Sequence, residues 1–145
     1  EQWTVNSEQW TVNSEQWSFF DNKDVVKMLN NSVVYGKAYQ LAIRIVKLNQ
    51  YLQKSHREYV LSKQILRSGT SVGANIAEAN GAISDADFSA KISIAYKEIL
   101  ETKYWLSLLK DTGFIKQNAY ASIFNDADEI AKILFAILRK TRINC

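Results

Sequence analysis

The middle of the chain carries the sequence QILRSGTSVGANIAE at residues 64–78. Two rows of side chains run through this region at helical spacing. The apolar row consists of Leu61, Ile65, Val72 and Ile76. The polar row consists of Gln64, Arg67, Ser71, Asn75 and Glu78. On a helix the five polar residues fall within an arc of roughly 80°, so the segment is predicted to be an amphipathic helix with a mixed polar flank.

The polar row differs from an ordinary solvated helix face, which usually carries interchangeable Lys and Glu. Its five groups have different hydrogen-bonding roles, and this predicts a structural or interface network. A carboxylate on the following helix is the expected partner of Arg67, and we group Trp105 with the network as an aromatic contact. The sequence leaves open what the row faces: a neighbouring helix, a second subunit, a solvent-filled pore, or a ligand or nucleic acid.

Helical periodicity continues on both sides of this region. Apolar residues recur at three- and four-residue spacing over residues 34–54, 57–79, 84–113 and 116–141. The spacing of Ser55 and Glu58 resembles a capping box and predicts that the second helix begins there, and Ser84 with Asp87 predicts the start of the third. Four long helices with short connections predict an all-α, up-down-up-down antiparallel four-helix bundle.

Composition agrees with one soluble helical domain. The chain has 145 residues, of which 47% are hydrophobic, and this is enough for a single core. It contains no proline and only five glycines, so it has few of the residues that punctuate short strands and tight turns. The single cysteine, Cys145, cannot form an intramolecular disulfide, and no segment resembles a signal peptide or a membrane span. We therefore expect a cytoplasmic protein without a membrane partner.

The first residues form a separate pattern. The unit EQWTVNS occurs twice in succession and is followed by EQW, which indicates a recent duplication. Trp and Val lie two residues apart in the unit, a spacing that suits a strand better than a helix. We expect residues 1–32 to form an extended or flexible arm and residues 33–145 to form the bundle domain. Whether Trp3, Trp10 and Trp17 anchor the arm on a partner stays open.

Few residues suit catalysis or metal binding. His56 is the only histidine and Cys145 the only cysteine, which is too few for a zinc site or a nucleophile-base-orienter triad. Glu98 and Glu101 are not followed by histidine at the spacing of a di-iron bundle site. No glycine loop follows a strand to hold a phosphate. The sequence predicts no enzyme activity, no metal and no cofactor.

Electrostatics give the better functional signal. Residues 33–145 carry sixteen basic and ten acidic residues, which permits an anionic partner. The candidate nucleic-acid-binding residues are Lys37, Arg44, Lys47, Lys54, Arg57 and Lys63. On the first helix, the four that lie there fall within an arc of about 100°. The row is either a solvated face or a surface for phosphate backbones, and nothing in the sequence resembles an element that reads bases.

The apolar faces are wider than a monomeric bundle needs. The third helix adds Ile94, Tyr96, Trp105 and Leu108 to its main apolar row. Large exposed apolar patches are rare on soluble monomers, so this width predicts self-association. A thicker stripe that contacts two neighbouring helices is the alternative.

The motifs of the second and third helices resemble a known family. QILRSGTSVGANIAEA, followed by SDADFSAKISIAYKEILETKYWLSLLKDTGFI, is similar to the bacterial four-helix-bundle proteins encoded by intervening sequences in 23S ribosomal RNA genes, also called S23 ribosomal proteins. The resemblance covers about residues 33–141. A proline that the family often carries near position 71, and a glycine after the Glu, are not present here, which blurs only the end of the second helix.

The resemblance implies a homopentamer without established enzyme activity. It also implies a fold similar to the accessory protein of diversity-generating retroelements, which partners a reverse transcriptase and binds nucleic acid. Fold analogy alone does not assign function. Two hypotheses follow: a homo-oligomeric bundle that binds RNA or DNA backbones, and a scaffold that recruits a protein partner.

Overall fold

The computed structural model describes residues 22–143 and, within them, the side chains of residues 33–141. It contains four α-helices: α1 (Asn22–His56), α2 (Leu61–Asn80), α3 (Asp85–Asp111) and α4 (Gln117–Ile143). No strand occurs in this part of the chain. α1 and α3 each pack against both α2 and α4, while the diagonal pairs of helices have few contacts. The prediction of an all-α, up-down-up-down four-helix bundle is confirmed.

α1 begins at Asn22, well before residue 34, where the apolar periodicity predicts its start. Residues 22–33 contain neither glycine nor proline, so nothing interrupts a helix that each added residue extends by one hydrogen bond. The periodicity therefore predicts where the helix is buried but not where it begins. Residues 1–21, with the repeated unit and its tryptophans, lie outside the described residues, and the division into arm and bundle stays a prediction.

The core is formed by the apolar rows that the sequence predicts. All four helices contribute side chains that are at most 2% exposed: Leu41, Ile45, Leu52, Ile65, Ile76, Ile92, Ile99, Leu106, Leu109, Ile130 and Leu134. Ala42, Leu61, Tyr120 and Phe124, which lie within the stretches of predicted apolar periodicity, are only partly buried. Burial of one face on each helix supplies most of the stability of such a bundle, since isolated helices are marginal in water.

Two contacts hold α1 close to α2. Gly69 lies so near to Ile45 that an added Cβ would be 2.8 Å from the Cγ2 atom of that side chain. The buried Asn49 side chain donates through Nδ2 to the carbonyl of Ser62 at 2.9 Å. The small residue allows the two backbones to approach, and the carbonyl gives the buried Asn49 amide a hydrogen-bond partner.

The connection between α1 and α2 differs from the capping box that the sequence suggests. Ser55 lies inside α1, and α2 begins at Leu61 instead of residue 57. The Glu58 carboxylate caps α2 alone, since it accepts hydrogen bonds from the backbone N–H groups of Val60, Leu61 and Ser62 at 3.0, 2.9 and 2.7 Å. The Ser55 prediction is wrong because a carboxylate that reaches three free N–H groups needs no second capping residue.

The start of α3 follows the predicted pattern. The Ser84 hydroxyl accepts a hydrogen bond from the backbone N–H of Asp87 at 3.0 Å. Asp87 in turn accepts from the backbone N–H of Ile83 at 3.3 Å. Gly113 follows the end of α3 with a φ of +84°, a conformation that glycine adopts without strain. The bundle therefore has two ends, and the connections 57–60 and 112–116 lie at the same one.

Candidate nucleic-acid interface

Arg67 is the centre of the polar row on α2. Its guanidinium pairs with Glu101 at 2.5 Å and with Glu98 at 3.4 Å, both on α3. The indole N–H of Trp105 donates to the same Glu101 carboxylate at 3.2 Å. The hydrogen bond to Glu101 raises the pKa of Arg67, and the same bond holds the pKa of Glu101 below its usual value. The structure thus places the predicted carboxylate partners of Arg67 on the following helix.

The remaining members of the polar row do not join that cluster. Glu78 pairs with Lys91 of α3 at 2.7 Å. Ser71 donates to the carbonyl of Ser68, and Asn75 donates to the carbonyl of Ser71, so both bond within their own helix. The Gln64 side chain is exposed and has no partner in the part of the chain that is described. The row faces α3 as two separate ion-pair clusters, and a role in an interface stays a prediction.

Two of the six predicted basic residues are engaged within the bundle. Lys37 pairs with Glu129 of α4 at 2.8 Å. Arg44 contacts Asp126 of α4 at 2.5 Å and donates to the Ser122 hydroxyl at 2.9 Å. Both side chains therefore lie along the groove between α1 and α4, where acidic residues neutralise them. Their contribution to a cationic surface is smaller than the sequence suggests.

The other four predicted cations are exposed. Lys47 and Lys54 lie on the second half of α1, Arg57 lies in the connection, and Lys63 lies in the first turn of α2. Among the described residues, none of them forms an ion pair, hydrogen bond or ring contact. Three of them, Lys54, Arg57 and Lys63, fall within ten residues around one chain reversal.

A second connection brings another cation to this end of the bundle. The His56 ring contacts Phe114, with ring centroids 5.5 Å apart, and so joins the 57–60 connection to the 112–116 connection. Lys116 lies two residues after Phe114, is exposed, and has no partner among the described side chains. We call Lys54, Arg57, Lys63 and Lys116 the basic end. Sequence reasoning misses Lys116 because only the bundle topology places it near the other three.

The acidic groups near the basic end are already engaged. The Glu58 carboxylate is held by the N–H groups at the start of α2. Asp111 lies 3.5 Å from Lys110, whose ammonium also lies 4.3 Å from the centre of the Tyr120 ring. The four cations of the basic end therefore outnumber the nearby carboxylates and keep a positive field at this end of the bundle.

Arg57 has an unusual backbone. Its φ is +49°, in the left-handed region that glycine favours, and no other described non-glycine residue has a positive φ. The conformation reverses the chain after α1, and the N–H of Glu58 donates to the carbonyl of Leu52 at 3.0 Å. The sequence predicts Arg57 inside a helix, which is wrong, because a left-handed residue cannot continue a right-handed helix.

A separate apolar surface lies on the outside of α3 and α4. Ile94, Leu100 and Tyr104 of α3 and Phe135 of α4 are between 41% and 60% exposed. We call these four residues the α3 outer patch. Trp105, which the sequence groups with the polar row, is half-buried and packs edge-on against Tyr104 at 5.0 Å between ring centroids. The apolar width that the sequence indicates is thus partly buried between helices and partly exposed.

We also looked for groups of side chains that suit metal binding or catalysis among the described residues. Within residues 33–141, no group of three or more His, Asp and Glu side chains is arranged to hold a metal ion. His56 contacts the Tyr51 hydroxyl at 3.1 Å and two aromatic rings, without a neighbouring nucleophile in those contacts. None of the described helices combines the length and apolar character that crossing a membrane requires.

Comparisons with known proteins agree with the fold. A family model described as 23S rRNA-intervening sequence protein matches residues 30–136. A crystal structure from Bacteroides thetaiotaomicron VPI-5482, of a protein with unknown function from the S23 ribosomal protein family, has 51% sequence identity and a TM-score of 0.75. The match covers 76% of this chain and 98% of that one. No curated protein matches the chain. The chain belongs to the family of 23S rRNA-intervening sequence proteins.

Proposed function

We propose that this protein is a non-enzymatic, homo-oligomeric helical bundle that binds the phosphate backbone of nucleic acids through its basic end. The observation that carries the proposal is that Lys54, Arg57, Lys63 and Lys116 are exposed and have no partner among the described residues. Lys47 lies about two turns before Lys54 on the same side of α1, and it also has no partner among the described residues. The proposed site of action is the cytoplasm.

Free cations suit this function better than paired ones. An unpaired lysine that contacts a phosphate releases a counterion from the nucleic acid, which favours binding at low salt. A cation such as Arg44 must first lose its contact with Asp126, so it gains less from a phosphate. The four or five free cations predict that log K falls against log salt with a slope of roughly −3 to −5. Backbone contacts carry no sequence information, so binding is expected to be nonspecific.

Charge reversal tests the proposal. Lys54→Glu combined with Lys63→Glu changes two free, exposed cations of the basic end. Asn80→Glu combined with Ala86→Glu is the control, because both residues are exposed and lie at the end of α2 and in the first turn of α3, at the opposite end of the bundle. Fluorescence anisotropy with labelled RNA and DNA should show a loss of about tenfold or more in the first variant and a much smaller loss in the control. Equal losses in both variants would contradict a localised site.

The α3 outer patch supports the oligomeric part of the proposal. Large exposed apolar patches commonly mark interfaces between proteins, and we propose that these four side chains form one. The pentamer that the family resemblance implies is the assembly we propose. Native mass spectrometry should show one discrete oligomer, and Leu100→Glu should shift it towards the monomer while circular dichroism shows an intact helical fold. A wild-type monomer at micromolar concentration would contradict this part.

Recruitment of a protein partner is the second candidate, and the same patch favours it. If the patch binds a different protein, wild-type mass would be monomeric and Leu100→Glu would remove the partner without changing the mass of the free chain. Trp105 is a weaker contact residue than the sequence suggests, because its indole N–H is already bonded to Glu101. Tyr104→Ala is therefore expected to reduce partner capture more than Trp105→Ala.

A further inference from the structure

We infer that the basic end binds single-stranded nucleic acid in preference to duplex, with one unpaired base stacked on the ring of Tyr59. The inference rests on the proposed function, because it specifies which form of nucleic acid the same cations bind. It adds an aromatic contact to a site that otherwise holds only charges. No charge or apolar pattern in the sequence distinguishes this tyrosine.

The ring of Tyr59 is exposed, whereas other aromatic rings at this end of the bundle pack against each other. Its side chain is 57% exposed, and it forms no hydrogen bond or ring contact with any described residue. Tyr51 and Phe114, by contrast, each pack edge-on against the ring of His56. This end of the bundle therefore has one aromatic cluster and, apart from it, one aromatic ring that is open to solvent.

The backbone that carries Tyr59 is fixed on both sides. Before it, the N–H of Glu58 is bonded to the carbonyl of Leu52. After it, the N–H groups of Val60 and Leu61 are bonded to the Glu58 carboxylate. A ring on a short, hydrogen-bonded connection loses less conformational freedom on binding than a ring on a long loop, which makes it a suitable stacking platform.

Cations flank the ring in sequence and in the fold. Arg57 lies two residues before Tyr59 and Lys63 lies four residues after it, at the start of α2. Proteins that bind single strands combine a cationic surface for the backbone with aromatic rings on which bases stack. The bases of a duplex are stacked inside it and do not reach an external ring, whereas its phosphates reach the same cations. Tyr59 therefore adds affinity for single strands only.

Anisotropy with a labelled single strand of mixed sequence, and with a duplex of the same length, tests this inference in RNA and in DNA. Wild type should bind the single strand more tightly. Tyr59→Ala should weaken single-strand binding by at least about fivefold and leave duplex binding within about twofold of wild type. Tyr59→Phe keeps the ring and should retain single-strand binding. Thermal unfolding of all three proteins should be alike, because the side chain is mostly exposed and forms no hydrogen bond or ring contact with a described residue.

The outcomes separate the two proposals. If the protein binds both forms equally and Tyr59→Ala binds like wild type, while Lys54→Glu with Lys63→Glu still removes binding, the single-strand inference is overturned and the proposed function stands. Tighter binding to duplex than to single strand would also overturn it. If neither form binds in a way that depends on the basic end, both proposals fail. Loss of single-strand affinity alone on Tyr59→Ala supports the inference.

Discussion

Arg57 carries a positive charge on a backbone conformation that an L side chain rarely adopts. The left-handed conformation costs roughly 1–2 kcal/mol in a residue with a Cβ, and strained residues of this kind often occur at functional positions. The same reversal could be made by glycine, as Gly113 makes the turn after α3. The presence of arginine at this position agrees with a role for its charge.

Replacing this residue should separate stability from binding. Arg57→Gly is expected to stabilise the fold by up to about 1 kcal/mol, since relief of strain exceeds the added freedom of the unfolded chain. The same change should weaken nucleic-acid binding, because a cation of the basic end is lost. Thermal unfolding and anisotropy measure the two effects. Arg57→Ala is the control: it should weaken binding equally but should not raise the melting temperature, since the Cβ remains.

Glu58 makes stability depend on pH. Partial burial works against its ionisation, but the backbone N–H donors at the start of α2 outweigh that effect, so the pKa of Glu58 lies below its usual value. A lowered folded-state pKa means that its stabilisation is present above the pKa of the unfolded chain. That stabilisation is lost as the pH falls through the folded-state pKa.

Glu58→Gln tests this cap. A glutamine has one carbonyl oxygen in place of a carboxylate that accepts from three N–H groups. We expect a loss of about 1 kcal/mol in the free energy of unfolding at neutral pH, measured with urea. The difference from wild type should shrink as the pH falls and the wild-type carboxyl becomes protonated. A difference that stays constant down to acidic pH would show that the charge of the cap is not what stabilises α2.

At the scale of the elements, the two glycines of α2 differ in how closely they approach α1, so their replacement should have different effects. Gly69→Ala would place a Cβ 2.8 Å from Ile45, a stiff and fully buried β-branched side chain. Gly73→Ala would place one 3.7 Å from Ala38, which is an ordinary contact. Gly69→Ala should destabilise the fold by about 1–3 kcal/mol, whereas Gly73→Ala should stabilise it by about 0.5–1 kcal/mol. Urea unfolding of both variants checks the contrast, and equal effects would contradict the close approach at Gly69.

The helices and their buried faces could be predicted from the sequence, but their boundaries could not. Rows such as Ile92, Ile99 and Leu106 repeat at the helical period, and each residue of that row is fully buried. The connection before α2 was less predictable, because Ser55 has the right spacing from Glu58 and yet lies inside α1. Spacing describes a local pattern, whereas the cap depends on where the preceding helix ends.

The candidate site, too, could be predicted from the sequence only in part. Periodicity places Lys37, Arg44, Lys47 and Lys54 on one side of α1, but it does not say which acidic residues α4 brings beside them. Asp126 and Glu129 engage two of these cations, and the other two remain free among the described residues. The contribution of Lys116 follows from topology alone. Partners that come from distant parts of the chain are therefore what the sequence analysis missed.

At the scale of the whole molecule, charge and apolar surface lie apart. The basic end is formed by the two connections and adjoining helix ends, whereas the α3 outer patch lies along the helix surfaces of α3 and α4. An assembly through the patch would therefore leave the basic end accessible in every copy. Several copies presenting the same cations would raise the affinity for a long strand by avidity, without further contacts in each subunit.

The most direct test of the central claim is native mass spectrometry of the purified protein with single-stranded RNA at low and moderate salt. We expect a discrete oligomer that retains the RNA at low salt and releases it as salt rises. Lys54→Glu with Lys63→Glu should form the same oligomer without RNA, while Asn80→Glu with Ala86→Glu should form it and retain the RNA. An oligomer that never retains RNA, or that retains it equally after reversal at the basic end, would contradict the account.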